Sequence, residues 1–162
     1  MGLDMYLEAR KEVYVGTHID ESKGTIKLEL PEELKMFEGN WEQTINFKTD
    51  YQIGYWRKAN HIHKWFVDNC GNGVDECQDM YVSKEDLQNL LKVCDEVLAE
   101  HGDAENKLPT QSGFFFGGTE YDDYYFDDVK YTKEVCKRAI QFLEEREKAE
   151  DYLWSIHYQA SW

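Results

Sequence analysis

The spacing of apolar residues changes period along this chain, and that change constrains the fold more than any other feature. Leu3, Met5 and Leu7 alternate with Asp4, Tyr6 and Glu8, the two-residue repeat of a half-buried strand. A strand is therefore expected over Leu3–Val15, with a break near Ala9–Arg10. After a polar loop at Gly16–Gly24, the alternation of Ile26, Leu28 and Leu30 predicts a second strand over Thr25–Leu30, and Ile45 with Phe47 places a third within Trp41–Ile53. From Leu87 the repeat becomes helical. Leu87, Leu90, Leu91, Cys94, Val97 and Leu98 form one stripe, with Ser83 and Asp86 as its start signal and Gly102 near its end. Met80–Val82 reads as a short strand just before it. Val135, Cys136, Ala139, Ile140 and Leu143 repeat the helical pattern, with Thr132 as the expected cap.

Two shorter helices are expected, one opened by Pro31 and running through Phe37, the other over Tyr55–Asn69. In the second, Tyr55, Ala59, Ile62 and Phe66 share a face directed at the core. Aromatic alternation over Tyr152–Tyr158 favours a closing strand. With 162 residues, no internal repeat and no linker, the pattern gives a single-domain α+β fold. Its sheet is mixed and mostly antiparallel, with three to four helices packed on it.

Charge limits the partners. Eighteen basic residues against 33 acidic ones leave a formal charge of −15, which repels phosphate backbones and anionic lipid over most of the surface. Nucleic acid and membrane are accordingly not expected as partners, and no run of 18 apolar residues is present. Four cysteines in a chain without a leader-like start argue for free thiols and a cytoplasmic location. The acidity also leaves open a protein-interaction inhibitor that binds a host protein through its charged surface.

Against this background, two segments lack acid. Tyr51–Val67 passes 17 residues without a carboxylate, where an average stretch of that length would hold about 3.5. It carries Arg57, Lys58 and Lys64 together with His61 and His63. A positive island in a negative protein suits an anionic ligand, because flanking acids would cancel the attraction. On the expected helix Arg57 and Lys58 fall in the first turn, where free N–H groups favour an anion. Trp56 or Trp65 would stack on the ligand, and Asn60 with His63 would fix its orientation. The second segment, Lys107–Thr119, brackets Phe114–Phe116 with glycines. Thr110, Ser112, Gly113 and Gly117 would close the opposite wall, since glycine lets a ligand approach the main chain. The leading expectation is a small anionic, nucleotide-like ligand with no cofactor. The enzyme alternative uses His61 or His63 as acid/base beside Glu120 or Asp122 on a phosphorylated or nucleoside substrate.

No metal is expected. His61 and His63 lie two apart, which on a helix points them in different directions, and Cys70 and Cys77 are loosely spaced. The stretch from Asp68 to Gly73 begins like a calcium loop but has Cys70 in third place and Asp79 in twelfth.

The segments Met1–Leu7, Gly54–Asn60 (GYWRKAN), Ile62–Phe66 (IHKWF), Leu108–Gly117 (LPTQSGFFFG), Thr119–Asp122 (TEYD) and Tyr158–Trp162 (YQASW) resemble a family of small bacteriophage and prophage proteins. The resemblance runs through nearly the whole chain. Some members carry a phosphoglycerate kinase label, which a chain this short without that enzyme's nucleotide loop does not support. The resemblance implies a phage context in a host cytoplasm, and within it counter-defence by sequestering a nucleotide signal. Oligomeric state is open, a homo-oligomer with its site between subunits included.

Overall fold

The computed structural model describes residues 2–15 and 45–162. The loop at Gly16–Gly24, the strand at Thr25–Leu30, the helix at Pro31–Phe37 and the start of the strand from Trp41 lie outside the described residues.

Among the described residues, four strands form one sheet: β1 (Asp4–Val15), β2 (Ile45–Arg57), β3 (Met80–Val82) and β4 (Trp154–Ser161). Their order is β2-β1-β4-β3 and every pairing is antiparallel. The α+β fold is as expected, while the mixed sheet becomes wholly antiparallel over these strands. The closing strand lies at the centre of the sheet, with Met5 opposite Ala160 and Leu7 opposite Tyr158. Both ends of the sequence are thus locked by one ladder.

The period-two alternation of β1 sends Leu3, Met5, Leu7 and Ala9 inward, where Ile156, Tyr158 and Ala160 of β4 join them. The expected break at Ala9–Arg10 is absent. The irregularity sits across the ladder, where the register jumps from Leu7↔Gly54 to Glu8↔Gln52, so Ile53 is a bulge in β2.

Among the described residues, four α-helices pack with this sheet: α1 (Asn60–Asn69), α2 (Lys84–Ala99), the one-turn α3 (Ala104–Lys107) and α4 (Asp123–Lys148). Ser83 and Asp86 close a reciprocal capping box on α2, which buries Leu87, Leu90, Cys94 and Val97 against the core. The sheet approaches α4 closely at Gly54, where an added Cβ would lie 2.8 Å from the Trp56 ring and 3.0 Å from Val135.

Two helix boundaries differ from the sequence reading. Tyr55, Trp56 and Arg57 are strand residues paired with Tyr6, Met5 and Asp4, so α1 begins only at Asn60. Pairing with a central strand outweighs the helical spacing, and Ala59 at the cap position offers no side-chain hydrogen bond to mark the start. Arg57 and Lys58 therefore precede the helix rather than forming its first turn. Helix α4 begins at Asp123, nine residues before Thr132, because Asp122 accepts the Tyr125 N–H and caps it. Thr132 is a buried mid-helix residue. It donates to the Asp128 carbonyl at 2.7 Å and accepts the Trp56 indole N–H at 2.8 Å.

Candidate functional site

The strand-to-helix junction is built around Lys58. Its N–H donates to the Leu3 carbonyl at 2.8 Å, and its own carbonyl accepts the Asn60 N–H at 2.9 Å. These contacts hold it at φ 61°, a left-handed conformation that costs a lysine about 1 kcal/mol. The junction exposes both cations. Arg57 reaches only a distant partner, Asp4 at 3.9 Å, and Lys58 makes no ion pair with the described residues.

Asn60 then joins the two acid-free segments. Its amide donates to the carbonyls of Phe116 (3.0 Å) and Gly118 (2.7 Å), and its side-chain oxygen accepts the Gln111 N–H at 2.8 Å. At 1% exposure, with both amide hydrogens donated and the oxygen already accepting, this side chain is a clamp and has no donor left with which to read a ligand. Gly117, at φ 88°, passes so close that an added Cβ would meet the Lys58 Cβ at 3.0 Å. From Leu108 to Thr119 the chain is irregular apart from a turn at Phe114–Phe116, and it is fastened onto the start of α1.

A cleft of about 360 Å³ opens where these parts meet, at the small end of ligand pockets. Arg57, Lys58, Asn60, Thr110 and Gly117 line it, as do His61, Glu120 and Asp122. Gly118 lines it beside Gly117, and sequence reasoning missed the first turns of α4, with Tyr124, Tyr125, Asp127 and Asp128. The acidic run from Glu120 to Asp128 reaches the same cleft as Lys58 because Asp122 starts the helix there.

The cleft is therefore not purely positive. Four carboxylates face two cations, but most of the acids are committed. Glu120 accepts the Thr119 N–H, Asp122 caps α4, and Asp127 pairs with Lys130 at 2.8 Å. The Asp128 carboxyl group has no hydrogen bond or ion pair among the described residues. Burial, reinforced by Asp127 and Asp122, pushes its carboxyl up to about 6. His61 is 3% exposed, rests against the Tyr125 ring at 4.1 Å, and has a buried Nε2 with no partner among the described residues. Burial lowers its pKa to about 3, so the ring is neutral at physiological pH. Thr110 is spent on the Thr119 carbonyl. Among the described residues, Lys58, the Asp128 carboxyl group and His61 Nε2 have no hydrogen bond or ion pair, and Arg57 has only the distant Asp4.

Other expected site residues lie elsewhere. Trp56 is 2% exposed in the core, tied to Thr132 and edge-on to Tyr131, and is not available to stack on a ligand. His63 is fully buried, bonded to the Tyr158 hydroxyl at 2.7 Å and to Asp75 at 3.1 Å. It pins α1 to β4 and stands outside the cleft, so His61 alone of the two histidines accompanies Glu120 and Asp122. Trp65 borders a separate depression of about 260 Å³ beyond His61, with Lys64 and Lys107. Those lysines are paired with Asp68 and Glu96. Ser112 and Gly113 are exposed and do not line the cleft; an added Cβ at Gly113 would strike the Phe116 ring at 2.8 Å. The described residues contain no cluster of three or more metal-ligating side chains, and none of their helices is long and apolar enough to cross a membrane.

Comparison of the chain with protein-family models, with curated proteins and with solved structures finds no match.

Proposed function

We propose that this chain is a binding protein for a small anion-bearing ligand of nucleotide size, held in the cleft between Lys58 and the start of α4. The observation that carries the reading is Lys58 itself. A lysine is kept in a strained backbone conformation, without an ion pair among the described residues, at the mouth of a cleft it shares with Arg57. Strain of this kind persists where surrounding structure enforces it, and it gathers at ligand sites. In a protein of charge −15, two adjacent cations whose nearest ion-pair partner among the described residues is Asp4, 3.9 Å from Arg57, keep an attraction for an anion, because Glu120, Asp122 and Asp127 of the same cleft are held by their own hydrogen bonds or ion pair.

Arg57 and Lys58 hold the anionic group, and the exposed glycine backbone at Gly117 and Gly118 allows close approach beside them. No aromatic ring from the core stacks on the ligand; Tyr124, which is 81% exposed at the rim, is the ring available for that contact. The likeness to small phage and prophage proteins suggests a biological use, namely sequestration of a host nucleotide signal, for which tight binding without turnover is enough.

The test is titration calorimetry of the protein against nucleoside monophosphates and diphosphates, repeated with Arg57→Ala and Lys58→Ala. Each charge-assisted contact contributes about 1.5–3 kcal/mol, so each substitution should weaken binding by about tenfold or more while leaving the fold intact. Affinity indifferent to both substitutions would refute the assignment.

A further inference from the structure

The unspent groups of the cleft are of two kinds, and together they describe more of the ligand than its charge. This inference rests on the binding role proposed above and extends it to ligand chemistry. At one side stand Arg57 and Lys58, donors only. In the first turns of α4 stands Asp128, an acceptor with no partner among the described residues. His61, 3% exposed, also lines the cleft and carries a buried Nε2 with no partner among the described residues. Both features cost stability: a partly buried unpaired carboxylate and a buried unpaired imidazole nitrogen are each met by partners in most folded proteins. Their coincidence at one cleft indicates that a ligand completes them.

An ionised carboxylate accepts and cannot donate. It selects an edge presenting two neighbouring donors and repels an edge presenting an acceptor. Among the common nucleobases, the hydrogen-bonding edge of guanine places N1–H beside the exocyclic N2–H. Adenine and cytosine place a bare ring nitrogen next to their amino group, and uracil flanks its N3–H with two carbonyls. The neutral His61 ring supplies one further donor or acceptor, according to its tautomer.

We infer that the cleft is selective for guanine nucleotides, with the phosphate on Arg57 and Lys58 and the N1–H and N2–H edge of the base on Asp128. The cleft, at about 360 Å³, suits one nucleotide rather than two.

The experiment is calorimetric titration at pH 7.5 with guanosine, adenosine and xanthosine monophosphates and with inorganic phosphate, on wild-type protein and on Asp128→Asn. Wild-type protein should bind the guanosine nucleotide at least tenfold more tightly than the adenosine nucleotide or phosphate. Asp128→Asn replaces one acceptor by a donor. It should lose the guanine preference and gain xanthosine monophosphate, whose N1–H and C2 carbonyl complement a carboxamide. A merely structural role for Asp128 would not exchange one base for another. Equal affinity for guanosine and adenosine nucleotides, with both still dependent on Arg57, would overturn this inference and leave the binding role standing. Persistence of the guanine preference in Asp128→Asn would overturn it equally. Absence of binding by every nucleotide would remove the binding role and this inference together.

Discussion

Replacing Asn60 should unfasten the cleft from the core, and the cost follows from its three hydrogen bonds. In Asn60→Ala the carbonyls of Phe116 and Gly118 lose a donor, and the Gln111 N–H loses an acceptor. At about 1 kcal/mol net for each bond the loss is about 3 kcal/mol, and the buried surroundings of Phe116 add to it because water does not replace that donor freely. For a protein of this size about 3 kcal/mol lowers the melting temperature by about 6–12 °C. Asn60→Asp is the sharper control. It keeps an acceptor for Gln111 but turns a carboxylate oxygen toward carbonyls that lay 2.7 and 3.0 Å from the amide nitrogen, so it should cost more than alanine. Urea unfolding followed by tryptophan fluorescence measures both. A loss below about 1 kcal/mol in Asn60→Ala, or an aspartate variant as stable as wild type, would show that Asn60 is not the clamp between the two segments.

Three further outcomes follow from the same geometry. Lys58→Gly relieves the left-handed strain, so folding stability should hold or rise by up to about 1 kcal/mol while nucleotide affinity falls; thermal melts and calorimetry on one preparation separate the two. Gly117→Ala forces a Cβ to 3.0 Å from the Lys58 Cβ at a φ of 88°. It should cost about 1–3 kcal/mol in urea unfolding, and a cost near zero would mean that the turn adjusts freely. Asp128 has its folded pKa raised by burial from 3.8 to about 6. The folded protein therefore binds this proton more tightly than the unfolded chain, and stability from this group falls as pH rises from about 4 to 6. Asp128→Asn should remove that slope and melt higher than wild type at pH 7.5; an unchanged slope across pH 4–6 would contradict the assigned environment.

The sequence revealed most where period and capping agree. Helix α2 was legible to its first residue because Ser83 and Asp86 announce it and Leu87, Leu90, Cys94 and Val97 continue it. Strands β1 and β4 were legible from alternation alone, although nothing local indicates that Leu7 pairs with Tyr158 at the other end of the chain. The junction before α1 was not legible. Tyr55, Ala59, Ile62 and Phe66 fit a helical stripe, yet the chain resolves the conflict in favour of the ladder to β1, and the uncapped Ala59 gives no warning. That one boundary moves Trp56 into the core and sets Arg57 and Lys58 before the helix. The acid-free composition of Tyr51–Val67 did locate the two exposed cations, because it depends on no secondary structure. It gave no indication of Asp127 and Asp128, whose position opposite Lys58 arises from the nine extra residues at the start of α4.

The most direct measurement of the central claim is amide chemical-shift mapping of labelled protein titrated with guanosine monophosphate. Saturable shifts are expected only at Arg57–His61, Thr110, Gly117–Glu120 and the first turns of α4, and should be lost in Lys58→Ala. Shifts centred instead on the depression beside Trp65 and Lys107, shifts on the outer face of the sheet, or no saturable shift at all would contradict it.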